Sequence, residues 1–215
     1  MDPSHAKRYT NAEIEVKVAQ ILGAAYPAGI IIPIDVDWLA ESNRLVDDIV
    51  PTPLLEDKFK VAAVLARKAD GHFDILVDED TLNFQRARAN FSIAHELGHV
   101  VLHSQICRSC RTIEDSIALS KRINKAYNFI ERSANYFAGA LLIPQRNVVN
   151  DAARIYEFMV KGGNYDTKLD LNQLCATLAR RYEVNTQPMK IRLEQLGITK
   201  KIQRALLYKS PFLDL

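Results

Sequence analysis

Two histidines, His95 and His99, stand four residues apart in a stretch that otherwise has the pattern of a buried helix. Residues at this spacing share one face of a helix about 6 Å apart, so both imidazoles can bind one metal ion. Glu96 follows the first histidine, where a carboxylate can act as a general base without binding the metal. A solvated helix face is the alternative. Burial is favoured by the apolar residues around the motif: Phe91, Ile93, Ala94, Leu97, Val100, Val101 and Leu102.

A zinc hydrolase needs a third protein ligand and one open position. One zinc-protease pattern has a third histidine ten residues after the first, but that residue is Gln105 here, so we expect a carboxylate from a later helix. Glu131, in the apolar segment ERSANYFAGALLIP, is the main candidate, and Glu114 and Asp115 are the alternatives. Glu131 as a mere helix N-terminal acid is also open. Asn135, one turn later, is expected to hydrogen-bond a metal-bound imidazole.

Composition excludes several classes of protein. The chain has 215 residues, is 48% hydrophobic and 25% charged, and carries a net charge of +2, which is typical of a folded globular protein rather than a disordered one. Its three cysteines are too few for a disulfide framework. Its longest apolar stretches are too short for a membrane span, and the N-terminus lacks the apolar region of a signal peptide. We therefore expect a cytoplasmic protein without membrane contact.

The periodicity predicts an α+β fold, mostly helical, with a small antiparallel sheet packed on the motif helix. Phe59–Lys68 and Phe73–Val77 are expected to pair as a hairpin across the turn at Asp70-Gly71, and residues 47–58 to form a loop. A catalytic domain is predicted over residues 1–165. A small basic helical region is predicted over 166–215, with two short helices within 169–196.

Three segments resemble successive blocks of the ImmA/IrrE-type metallo-endopeptidases: FSIAHELGHVVLH, ERSANYFAGALLIP and LCATLARRYEVNTQPMKIRLEQLGI. The resemblance spans roughly residues 10–200. It implies a zincin-like fold in which His95, His99 and Glu131 bind Zn²⁺ and Glu96 is the catalytic base. It also implies a protein substrate, a helix-turn-helix repressor whose cleavage derepresses stress-response or mobile-element genes. Ser133 replaces an acid found in many relatives, which leaves Glu131 as the sole carboxylate near that position.

Three other features of the sequence are the cysteine pair, His103 and the basic C-terminal segment. Cys107 and Cys110 are expected to be unlinked thiols, the alternative being a redox pair or, with His103, a second metal site. His103 itself is expected to interact with carbonyls at the helix end. From Ala176 to Leu215 there are eight basic and three acidic residues, which indicates packing onto the protease core or, less favoured, direct DNA binding.

The sequence leaves parts of the function open. Tyr127, Tyr136 and His72 are unranked candidates for stabilising the oxyanion, and no substrate-binding residue is assigned. The edge of the predicted hairpin offers backbone groups to which an extended substrate can add. The alternative to an enzyme is a zinc-containing binding module or toxin–antitoxin component that sequesters a regulator without proteolysis.

Overall fold

The computed structural model describes residues 7–120, 125–160 and 167–208, with side chains at 7–118, 128–160 and 171–208. In these ranges the chain forms eleven helices and one three-stranded sheet. The helices are α1 (Asn11–Ala25), α2 (Val36–Glu41), α3 (Leu55–Phe59), α4 (Glu79–Phe84), α5 (Arg86–Cys107), α6 (Ile113–Ser120), α7 (Lys125–Leu142), α8 (Gln145–Val160), α9 (Thr167–Arg181), α10 (Thr186–Gln195) and α11 (Ile198–Tyr208). The strands are β1 (Val46–Thr52), β2 (Ala63–Arg67) and β3 (Phe73–Asp78).

The first helix, α1, begins at a capping box formed by Thr10 and Glu13. The Thr10 hydroxyl accepts a hydrogen bond from the Glu13 backbone N–H at 3.2 Å, and the Glu13 carboxylate accepts one from the Thr10 backbone N–H at 2.8 Å. This reciprocal capping box satisfies two backbone donors that the first turn would otherwise leave free. The helix then buries Ile14, Val18 and Leu22, whose spacing puts them on one face.

The sheet is mixed rather than wholly antiparallel. β2 and β3 pair antiparallel, with Leu65 opposite Ile75, so the predicted hairpin is confirmed. β1 pairs parallel with β3, with Ile49 also opposite Ile75, and the strand order is β1-β3-β2. The expectation of a purely antiparallel sheet is therefore wrong. A parallel neighbour follows because the chain crosses over through α3 and β2 before β3 returns beside β1.

The prediction of a loop over residues 47–58 is also wrong, because the segment contains most of β1 and most of α3. Pro51 argued against a strand, since proline has no N–H to donate to a ladder. β1, however, lies at an edge of the sheet and pairs only with β3. One side of an edge strand makes no ladder bonds, so proline is tolerated there.

The histidine-bearing helix α5 is the central element of the first half of the chain. It packs against α7, against α2 and α4, and against the strands β2 and β3. Its buried positions include Ile93, Ala94, Leu97 and Val100, as the helical pattern predicts. The mostly helical α+β class is thus confirmed, with the sheet in contact with the motif helix. The zincin-like arrangement stays a prediction.

The chain divides into two compact units, Met1–Leu142 and Ile143–Leu215. In the second unit α8 contacts α9 and α11, and α9 contacts α10, so the two helices predicted within 169–196 are confirmed. The buried carboxylate of Asp151 connects two helices of this unit, α8 and α9, and the residue after α9. Asp151 accepts hydrogen bonds from Arg181 Nε at 2.8 Å and from the Tyr182 hydroxyl at 2.9 Å. The buried Arg192 donates from Nε to the Ile143 carbonyl at 3.1 Å.

Two further expectations concern the limits of these units. The domain boundary predicted between residues 165 and 166 lies outside the described residues and stays a prediction. Within the parts of the chain that the structure describes, no helix combines the length and the apolar character that a membrane crossing requires.

Candidate metal centre

The two motif histidines converge on one point in front of α5. Their Nε2 atoms are 3.0 Å apart, and the ring centroids are 4.6 Å apart. His99 is buried and His95 is partly so. Because residues four apart differ by little more than one turn, the helix itself produces this convergence. The spacing argument therefore describes the local geometry correctly.

Glu131 reaches the same point from α7. One carboxylate oxygen lies 3.3 Å from His95 Nε2, and the other lies 3.4 Å from His99 Nε2. The ligand atoms of the three residues all lie within 4.8 Å of one another. Two imidazoles and one carboxylate are the donor set of many catalytic zinc sites. Thirty-two residues separate His99 from Glu131, so packing between helices, not local spacing, joins them.

A glycine in the motif allows the two ligand helices to approach closely. A Cβ atom placed on Gly98 would lie 3.0 Å from the Phe137 ring and 3.3 Å from the Ala134 backbone. Both of those residues are on α7 and are fully buried. The sequence analysis assigned no role to Gly98. The signal was present, because a glycine inside a helical pattern costs stability and so points to a close contact.

Asn135 stands behind the first histidine, as predicted from its position one turn after Glu131. Its side-chain oxygen lies 3.2 Å from His95 Nδ1. With the Nδ1 proton donated to this oxygen, the Nε2 lone pair faces His99 and Glu131. A hydrogen bond of this kind sets both the tautomer and the ring orientation of a metal-binding histidine.

The two motif histidines have pKa values that shift in opposite directions. Burial, and then the proximity of His95 and His103, hold the pKa of His99 well below its usual value, so its imidazole is neutral. Burial opposes protonation of His95, but Glu131, Glu96 and Asn135 together raise its pKa. A neutral imidazole keeps the lone pair that a metal requires.

Glu96 lies beside this group, on the same helix but turned toward strand β2. Burial raises the pKa of its carboxyl to about 7, Glu131 adds to the rise, and His95 and the Leu65 backbone N–H oppose it. A carboxyl with this pKa exchanges a proton readily in either direction near neutral pH. Strand β2 thus contacts the motif through a backbone amide, which no sequence pattern indicated.

His103 continues the histidine stripe but is not part of the group that could hold a metal. The backbone of α5 leaves helical geometry at this residue, with φ −133° and ψ 25°. Its ring lies 6.2 Å from that of His99, between the rings of Tyr9 and Phe129 at 5.9 and 6.4 Å. Burial lowers the pKa of His103 to about 4, so the ring is neutral.

The remaining sequence candidates lie in other surroundings. Cys107 and Cys110 are buried and are not joined by a disulfide bond. Asp115 accepts hydrogen bonds from the Arg111 and Thr112 backbone N–H groups, so it caps α6, and Glu114 is exposed. Neither carboxylate belongs to the three-residue group at His95.

The oxyanion candidates also have other partners. The Tyr136 hydroxyl donates to Glu15 at 2.8 Å, and His72 Nδ1 lies 2.6 Å from Asp47. The side chain of Tyr127 lies outside the described residues. Asp47, Asp70 and His72 form a second cluster of possible ligands on the surface, which the sequence analysis missed. There the Lys68 ammonium already binds Asp47 at 2.6 Å.

Comparison with known proteins adds one finding. The family model Peptidase_M78, described as the IrrE N-terminal-like domain, matches residues 75–194. The matched range is more than half of the chain and includes α5, α7, α9 and nearly all of α10. None of the curated proteins matches the sequence.

Proposed function

The chain belongs to the Peptidase_M78 family, whose members are metallopeptidases, and on this premise we propose that it is a zinc-dependent endopeptidase that cleaves a specific partner protein. The observation that carries the proposal is the convergence of His95, His99 and Glu131, with their ligand atoms within 4.8 Å, beside the carboxylate of Glu96. A peptidase implies a protein substrate. The ion, the catalytic roles and the partner are the proposed parts.

The three residues fit a zinc ion by their chemistry. Imidazole nitrogen and carboxylate oxygen are both zinc donors, and three protein ligands leave one coordination position open. His99 is neutral, so its Nε2 lone pair is available, and the Asn135 oxygen takes up the Nδ1 side of His95, which leaves Nε2 as the nitrogen that would bind the metal. When bound, Zn²⁺ supplies Lewis-acid activation of the scissile carbonyl and of a water nucleophile.

The chain's own residues supply proton transfer. Glu96 accepts the proton of the attacking water on one carboxylate oxygen and then delivers it to the leaving amine. Its position one residue after His95 puts the carboxylate beside the ligand group rather than within it. Leu65 of β2 lies beside that carboxylate, and its backbone N–H favours the ionised form of Glu96.

The strand β2 suits an extended substrate. It is an edge strand, because the sheet order is β1-β3-β2, and Leu65 at its centre contacts the catalytic carboxylate. A peptide that added to this edge by backbone pairing would bring its scissile bond alongside Glu96. The family resemblance names the substrate class: a helix-turn-helix repressor, whose cleavage would derepress stress-response or mobile-element genes.

The test is cleavage of such a repressor, encoded beside this protein's gene, by the purified zinc-loaded chain. We expect cleavage by the wild type, none after zinc removal, and a loss of at least about 100-fold in Glu96→Gln, which retains its zinc. Glu114→Gln, an exposed carboxylate on α6, is the matched control and should cleave normally. Undiminished cleavage by Glu96→Gln would exclude the proposed base. Chelation that unfolds the chain, with no cleavage under any condition, would favour a structural zinc site.

A further inference from the structure

A small cavity adjoins the candidate metal centre on the side of strand β2. Its volume is about 40 Å³, and Glu96, His99 and Glu131 are among the residues that line it. This is room for a few heavy atoms, since a single water needs about 10–15 Å³. A group that enters this space therefore lies directly beside the ligand residues and the proposed base.

The strand side of the cavity is apolar. Val61, Ala63 and Val64 line it, from the start of β2 and the residues before it. Val64 also belongs to a buried cluster with Leu55 and with Ile117 of α6. This wall is therefore anchored in the hydrophobic core of the first unit.

Another wall comes from the end of α5 and the turn that follows it. Cys107 and Cys110 line the cavity there. The Cys107 thiol lies 3.7 Å from the His99 carbonyl, and the Cys110 N–H donates to the Cys107 carbonyl at 3.1 Å. Arg67, at the end of β2, donates from Nη1 to the Arg108 carbonyl at 2.7 Å. These bonds hold the turn against the strand, so the cavity has a built rather than an accidental wall.

Helix α6 completes the enclosure. Ser116 lines the cavity, while Ile117, the next residue, packs into the cluster with Val64. Thr112 and Asp115 cap the helix, because the Asp115 N–H donates to the Thr112 hydroxyl at 3.1 Å. The apolar anchor and the cap together fix which face of α6 meets the cavity.

We infer that this cavity is the subsite for one small apolar side chain of the substrate next to the scissile bond, of the size of alanine or valine. The inference rests on the proposed peptidase function. The volume excludes an aromatic ring and a long basic side chain, and the thiol and aliphatic walls give an acidic group no partner to replace the hydration that it would lose. An acidic side chain would in addition be repelled by Glu96 and Glu131.

Calorimetric binding of simple hydroxamates to the zinc-loaded chain tests the subsite without catalysis. Isobutyrohydroxamate should bind about tenfold more tightly than acetohydroxamate, because each buried methylene is worth roughly fourfold in affinity. Benzohydroxamate and the hydroxamate of succinic acid should lose this gain. Equal affinities across the series, or no binding of any member, would overturn the inference.

Substitution of the wall assigns the effect to this cavity. Ser116→Leu should abolish the preference for isobutyrohydroxamate and leave acetohydroxamate binding unchanged. Ala118→Leu, on the exposed face of the same helix, should change neither. If Ser116→Leu still prefers isobutyrohydroxamate, the apolar group of the hydroxamate binds somewhere other than in this cavity. If Ser116→Leu does not fold, the ligand series on the wild type decides alone.

The two proposals fail in different ways. Size-selective hydroxamate binding without repressor cleavage would contradict the proposed peptidase function. The cavity would then still be a size-selective ligand pocket. Repressor cleavage with no size selectivity would contradict only the subsite.

Discussion

Gly98 of α5 lies so close to Phe137 of α7 that a Cβ atom on it would make an unusually tight contact with the ring. A Cβ on Gly98 would stand 3.0 Å from the Phe137 ring. This contact lies one residue before His99 on one helix and six residues after Glu131 on the other. The separation of the two ligand helices therefore depends on the absence of a single methyl group.

The first prediction concerns that contact. Gly98→Ala should lower the free energy of unfolding by about 1–3 kcal/mol, the usual range for overpacking, although alanine gains up to about 1 kcal/mol in helix propensity. Overpacking should win because Phe137 and Ala134 are fully buried and cannot move aside. Zinc affinity should fall as well, since α7 carries Glu131. Denaturant unfolding and chelator competition measure the two effects.

Gly139 provides the matched control on the facing helix. A Cβ there meets no atom within 4 Å, so Gly139→Ala should be neutral or stabilising. Equal stability changes at both glycines would contradict the close-contact explanation.

The second prediction concerns Asn135 and the orientation of His95. Asn135→Ala should weaken zinc binding by about 10-fold, at the lower end of the range for groups that support metal ligands, because the amide is partly open to solvent. Glu131→Ala should weaken it further, since the proposed third ligand itself is removed. Competition with a chromogenic chelator gives the constants. Asn128→Ala, an exposed asparagine of α7, is the control, and an unchanged affinity in Asn135→Ala would remove the proposed support.

The third prediction concerns the buried polar group of the second unit. Tyr182 is buried, and its hydroxyl donates to Asp151 at 2.9 Å. Tyr182→Phe should cost about 1.5–3 kcal/mol in the free energy of unfolding, because a hydrogen bond to a charged acceptor is lost and the carboxylate keeps only Arg181. Urea unfolding measures the loss. Tyr208→Phe, at an exposed position, should change nothing, and equal effects would argue against a specific bond.

The fourth prediction concerns the surface pair of His72 and Asp47. Their hydrogen bond raises the pKa of His72 above the usual histidine value of 6.5, and Asp70 adds to the rise while Lys68 opposes it. A histidine whose pKa rises on folding contributes stability below its unfolded pKa and loses it as the pH rises through the folded value. NMR titration should therefore place the His72 midpoint above 6.5 in the wild type.

Asp47→Asn should return that midpoint toward 6.5, because the charge that favours the imidazolium is gone. Asp57→Asn removes an exposed carboxylate from α3 and should leave it unchanged. A midpoint that Asp47→Asn does not move would show that another group holds the His72 proton.

Features with local causes were predicted well from the sequence. The helix that carries His95 and His99 and the β2–β3 hairpin both arise from residues within a few positions of one another. The role of Glu131 was a choice among three carboxylates. The structure brings its oxygens to the histidines and leaves Asp115 as a helix cap.

Features with non-local causes required the tertiary structure. Whether Pro51 can lie in a strand depends on whether that strand is at a sheet edge, which pairing with β3 decides. The contact of Leu65 with Glu96, and the cavity wall formed by the turn after α5, depend on how distant segments pack.

The sequence by itself thus determined the chemistry available to this protein: two imidazoles and a carboxylate on one helical turn, and a third donor in an apolar helix downstream. Only the tertiary structure decided that Glu131's carboxylate lies at the two histidines, how close α5 and α7 lie, and what shape the adjoining space has. The physical reason is that helix periodicity acts over one or two turns. The distance between two helices depends instead on side-chain volumes, such as those of Gly98 and Phe137, that meet only after folding.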